Sequence, residues 1–143
     1  MIFMKELFLF LHVVLATFWV GGMLFLSLVV APYLKDKPQI RNEAFQEVGK
    51  RFSLYGTFLS LFLLFVTGLV NTYLIQGGFR PSIHTKLGVF FVVVFISLLH
   101  DLWAGKKALY SEKHRVWAKW LGILNLILSL LLVYLGVRIR LGY

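Results

Sequence analysis

The chain has 143 residues, four histidines and no cysteine. Three of the four imidazoles, His12, His84 and His100, fall in or at the edge of long apolar stretches, and Lys86 follows His84 by two residues. Ionisable side chains inside a bilayer are costly and turn toward the bundle interior, a partner or water, so they mark a functional site. His12 lies about two turns inside its apolar block, too deep to reach water easily, and needs a partner there. His114, in a basic link beside Tyr110 and Trp117, has the setting of an ordinary side chain at the headgroup level.

Elimination narrows the chemistry. Without thiols, and with only three methionines, the chain lacks the soft donors that Cu(I) prefers. Carboxylates are kept to the ends of the apolar blocks, which argues against hydrolysis. Imidazole, lysine and a largely aromatic and aliphatic interior suit a b-type haem, with imidazole on the iron and cations at the propionates. The expected axial pair is His12 with His84, with Lys86 and His100 as second-choice ligands. Trp19 and Asn71 are expected beside the group, and Lys86, Arg80 or Arg138 at its propionates. Electron transfer to or from a quinone, a porphyrinogen or a redox protein follows from that reading. Two alternatives stay open: copper transport or resistance, with His12, Met23 and His100 as successive stations, and a structural membrane subunit without a cofactor. A second haem between His100 and His114 also stays open.

The elements that position these residues are helices. Of the residues, 59% are hydrophobic, and they gather into four blocks long enough to span a bilayer, at about 7–34, 53–74, 82–103 and 117–137. Nothing is left over for a soluble domain, so the expectation is one unit over 1–143: an all-α, up-down-up-down four-helix bundle integral to the membrane. The net charge of +9 sits at the helix ends, where anionic headgroups account for it, and no nucleic-acid partner is expected. The first block is longer than a signal-peptide core, and Pro32 directly follows the small residues Val29–Ala31, so it is read as a retained helix. Between the first two blocks, Ile40, Ala44, Val48 and Phe52 recur every four residues, which predicts an amphipathic interfacial link over about 38–52.

Small and hydroxyl residues collect where membrane helices touch. Ser53, Thr57, Ser60, Thr67 and Asn71 form such a stripe on the second helix, interrupted by Leu64. Ala118, Gly122, Asn125, Ser129 and Gly136 do the same on the fourth, and His12, Ala16, Val20, Met23 and Ser27 on the first. On the third helix, Lys86 and His100 share a face with Ser97 at ~100° per residue. His84 points nearly the opposite way, toward lipid or another subunit, unless the turn after Pro81 is irregular. Lys35, Lys37, Arg41, Lys50 and Arg51, with Lys106, Lys107, Lys113, Arg115 and Lys119, outnumber the basic residues of the opposite end. The positive-inside rule then places both termini on the outer side of a cell inner membrane. His12, His84, Lys86 and Asn71 fall in the outer half, and His100 and His114 at the cytoplasmic end. Gly21-Gly22 and Ser53-x-x-x-Thr57 offer close-approach surfaces that suit a homodimer.

The run Leu11-His12-Val-Val-Leu-Ala-Thr-Phe-Trp19-Val-Gly21-Gly22, with the later Ala31-Pro32, resembles the first helix of the copper-resistance D (CopD-type) membrane domain. Arg51-Phe52-Ser53 and Thr67-Gly68 are similar to that family's second helix. His84-Thr-Lys86-Leu, followed by Leu99-His100 and Gly105-Lys-Lys, is similar to the third helix of HemJ-type protoporphyrinogen oxidases. Together these motifs cover about two thirds of the chain. The resemblance implies a four-helix unit in which a first-helix histidine and third-helix Lys/His residues serve a b haem or, by the CopD name, copper. Two places depart from the HemJ pattern: Val-Val-Ala31-Pro32-Tyr33 replaces an arginine and histidine, and the fourth helix has Asn125-Leu without an Asn-Glu pair. The resemblance therefore implies the scaffold and cofactor more directly than the oxidase activity.

Overall fold

The structure, a computed structural model, describes residues 2–75, 77–78, 80–108 and 110–142; Met1, Gln76, Phe79, Leu109 and Tyr143 of the expected 1–143 unit lie outside them. Four helices carry nearly all of it: α1 (Ile2–Lys35), α2 (Pro38–Leu74), α3 (Pro81–Lys107) and α4 (Glu112–Arg140). Each is long and apolar enough to cross a bilayer, since ~20 residues suffice. The chain is an all-α, four-helix, multi-pass membrane protein. Among the described residues there is no strand.

The breaks between helices have local causes. Pro38 and Pro81 occupy first turns, where a missing N–H costs nothing. The link before α3 turns through Gly77 and Gly78 at φ 74° and 130°, a region that favours glycine. α4 starts at Ser111, whose hydroxyl accepts from the His114 backbone N–H at 3.4 Å, with Glu112 favourably placed in the first turn.

Within the helices, three π-helical segments, Leu26–Val30, Phe52–Leu59 and His100–Ala104, lie toward the end carrying the 35–38 and 107–112 links. Each widens its helix and shifts its register. This explains a difference from the sequence reading. The small-residue line on α1 holds from His12 to Met23, but Ser27, inside the first π segment, is exposed. The third segment ends at Gly105, where a Cβ would meet the His100 carbonyl oxygen at 2.8 Å, so a side chain there would crowd that geometry. The amphipathic stretch is helical over Pro38–Arg51. It runs into the second helix through Phe52–Leu59, and Gln46 Nε2 donates to the Gly105 carbonyl at 3.3 Å.

Packing joins the helices as two hairpins. α1 lies closely along α2, and α3 along α4; α1 also packs on α4, whereas α2 and α3 meet chiefly through phenylalanine rings. The core is Trp19, Met23, Leu61, Leu64 and Val93. Trp19 stacks on Phe52 with centroids 5.7 Å apart and 4° between planes, and its Nε1–H donates to Ser129 Oγ at 3.2 Å. Phe52 in turn fills the space left by Gly22 and Gly56. Asn125 Nδ2 donates to Ser97 Oγ at 2.9 Å and ties α3 to α4. Thr57, Ser60, Thr67, Asn71, Ser97, Asn125 and Ser129 are all buried, so the second- and fourth-helix stripes do face inward.

Candidate functional site

These cross-links set the register of the bundle, and the register brings His12, Thr67, Lys86 and Gly136 to one level. His12 Nδ1 lies 2.7 Å from Thr67 Oγ1. The Thr67 hydroxyl gives its single hydrogen to its own helix, at the Leu63 carbonyl 2.8 Å away. With that hydrogen given to the helix the oxygen accepts from His12 Nδ1–H, the tautomer in which Nε2 keeps the lone pair. Gly68 makes room for the ring: a Cβ there would stand 3.4 Å from His12 Cε1. One turn toward the termini, Asn71 Nδ2 donates at 3.3 Å to the carbonyl of Phe8, the residue four before His12. Asn71 Oδ1 is buried with no hydrogen-bond partner among the described residues.

Lys86 enters the same level from α3. Its Nζ lies where a Cβ on Gly136 would be 3.4 Å away. Glycines on α2 and α4 thus leave the space that the two nitrogenous side chains fill. The level is only four residues, about 6 Å, from Arg140 at the end of α4. Lys86 and His12 are both half-buried.

The other expected residues are placed differently. α3 is regular from Pro81 onward, so His84 is exposed on the far side of the helix from Lys86, and it is not brought into the His12 level. Arg80 is the residue before the first turn of α3 and is half-buried, while Arg138 is exposed beside Gly136 on α4. Trp19, 3% exposed, lies seven residues along α1 from His12, about 10 Å, and its ring and N–H are engaged in the core. His100 is fourteen residues beyond Lys86, about 21 Å along α3, and so belongs to the opposite end. There its Nδ1–H donates to Asp101 Oδ1 at 2.7 Å, and its Nε2 faces Gly122. His114 packs edge-on against Trp103, centroids 5.1 Å apart. Met23 is buried in the core between the two ends.

Among the described residues, no three His, Asp or Glu side chains gather closely enough to hold a metal ion. Sequence reasoning singled out His12 and Lys86 but not what holds them. Thr67 and Gly136 were visible as stripe residues, and their phase with His12 and Lys86 was the available signal. No protein-family model matches the chain, and no solved structure matches it.

Proposed function

We propose that the bundle binds a b-type haem at the His12–Lys86 level and serves electron transfer in the membrane. The observation that carries the reading is the 2.7 Å contact of His12 Nδ1 with Thr67 Oγ1, itself 2.8 Å from the Leu63 carbonyl; in the tautomer where Nδ1–H donates, the half-buried imidazole has an unprotonated Nε2. A histidine that donates through one nitrogen and offers the other is the form a metal takes, and the second partner raises its basicity. The donor set fits haem better than a bare ion, because a macrocycle supplies four of the iron's ligands itself. When bound, haem would supply one-electron chemistry. His12 would hold the iron, and Thr67 would fix the ring's tautomer and direction. Lys86 would be a second donor to the iron or a partner for the propionates, with Asn71 Oδ1 a spare acceptor one turn away. His84, exposed on the outer side of α3, is the less suited second ligand. The CopD/HemJ resemblance, a location in a cell inner membrane with both termini outside, and a porphyrinogen or redox-protein partner belong to the same proposal.

The test is spectroscopic. Protein purified from its native membrane, or loaded with hemin in detergent, should show a Soret band that is lost in His12→Ala. A preparation that stays colourless after hemin addition would overturn the reading.

A further inference from the structure

The seam where the two hairpins lean apart is a cleft of about 260 Å³ between α2 and α3. Phe62, Phe65, Phe90 and Phe91 are among its walls, and the hydroxyl residues Thr57 and Ser97 line it as well. It lies within two spans apolar enough to be membrane-embedded, so what reaches it comes from the lipid phase. The hydroxyls distinguish it from a plain acyl groove. Ser60, Thr67 and Thr72 each give their hydrogen to a carbonyl of their own helix, at 3.2, 2.8 and 2.8 Å. Among the described residues Thr57 Oγ1 has no such acceptor, although the residue is only 3% exposed. Ser97 Oγ accepts from Asn125, so its own hydrogen is also still to be given. Thr57 stands in the π segment Phe52–Leu59, a backbone form common at functional sites. Two uncommitted donors among the lining residues of an aromatic cleft call for an acceptor that is soluble in lipid.

We propose that this cleft binds a lipid-soluble planar ring bearing a carbonyl, of the quinone class. The ring lies among the phenylalanines, and its carbonyl oxygen accepts from Thr57 and Ser97. Size agrees: an apolar cavity of ~150 Å³ takes up benzene, so this cleft has room for one substituted ring and none for a porphyrin. It contains no imidazole and stands independently of the haem reading.

The experiment is calorimetric titration of the whole chain in detergent micelles with a decyl-substituted benzoquinone, and with decylbenzene as the probe lacking carbonyls. Saturable quinone binding, with decylbenzene about five- to hundredfold weaker, is expected from the loss of both hydrogen bonds. Thr57→Val removes one of them and should weaken the quinone about two- to tenfold while leaving decylbenzene unchanged, with helical content and melting as the check on folding. Equal binding of the two probes by the unaltered protein would make the cleft an acyl-chain groove and overturn the proposal. So would the absence of saturable quinone binding. Should Thr57→Val misfold, the ratio of the two probes on the unaltered protein decides alone.

Discussion

The contact between His12 and Thr67 can be measured without any cofactor. Thr67→Val keeps the shape of the side chain and removes the oxygen that accepts from His12 Nδ1–H at 2.7 Å. Thr67 is buried at 5% exposure, so water is poorly placed to replace it. In a soluble core, a buried donor left without a partner costs about 1–3 kcal/mol. Within a membrane, the reference state also finds partners, and interhelical hydrogen bonds average ~0.6 kcal/mol with a maximum near 1.7. The single replacement includes loss of the hydroxyl's bond to the Leu63 carbonyl, so the informative quantity is a double-mutant cycle with His12→Phe. The cycle cancels the Leu63 contribution, which is present in both backgrounds. A coupling of about 0.6–1.7 kcal/mol is expected, read as the shift in the unfolding equilibrium of the chain in mixed micelles. Strict additivity would refute the reasoning: the imidazole would not be donating to Thr67, and the argument for a free Nε2 would fall with it.

Two further outcomes follow from the same geometry. Gly22→Ala drives a Cβ into the Phe52 ring, which is held between Trp19, Phe18 and Gly56; overpacking of this kind costs about 1–3 kcal/mol, and Phe52→Leu in the same chain should recover most of it in the same unfolding assay. Lys86→Met removes a half-buried ammonium from a spanning helix and should make the bundle more stable, by less than the ~2.5–3.5 kcal/mol charged at the centre of a span because the site lies near the helix end. The same variant should take up hemin more weakly, and a variant that is both less stable and unaltered in hemin uptake would show that Lys86 is a packing residue.

The fold was legible because the bilayer imposes one rule on every span: its backbone groups must be satisfied within the helix. Block length then sufficed to count the helices, and hydroxyl stripes such as Thr57–Ser60–Thr67 revealed their inward faces. Lys86 and His84 were correctly separated by helical periodicity, since α3 is regular where the two residues stand. Legibility failed where periodicity itself changes. Ser27 was projected inward across a stretch that turns out to be π-helical. The partners of His12 and Lys86 depend on the sliding register between helices, which no single stripe contains. The uncommitted hydroxyl of Thr57 is a further step removed, because it depends on a local widening of α2 that leaves no compositional mark.

That widening has a mechanical consequence. The segment Phe52–Leu59 is where α2 stores surplus chain, as a coil stores slack between two clamped ends. Below it, α2 is gripped by Trp19, Phe8 and His12 of α1; above it, the arm Pro38–Arg51 touches the rest of the molecule through Gln46 and the end of α1. Taking one residue out of the store lets it rewind to an ordinary α-helix, so the loss is taken up inside the segment with little net rotation of the arm. Gln46 then stays by the Gly105 carbonyl, and every core residue from Ser60 to Leu74 keeps its neighbours.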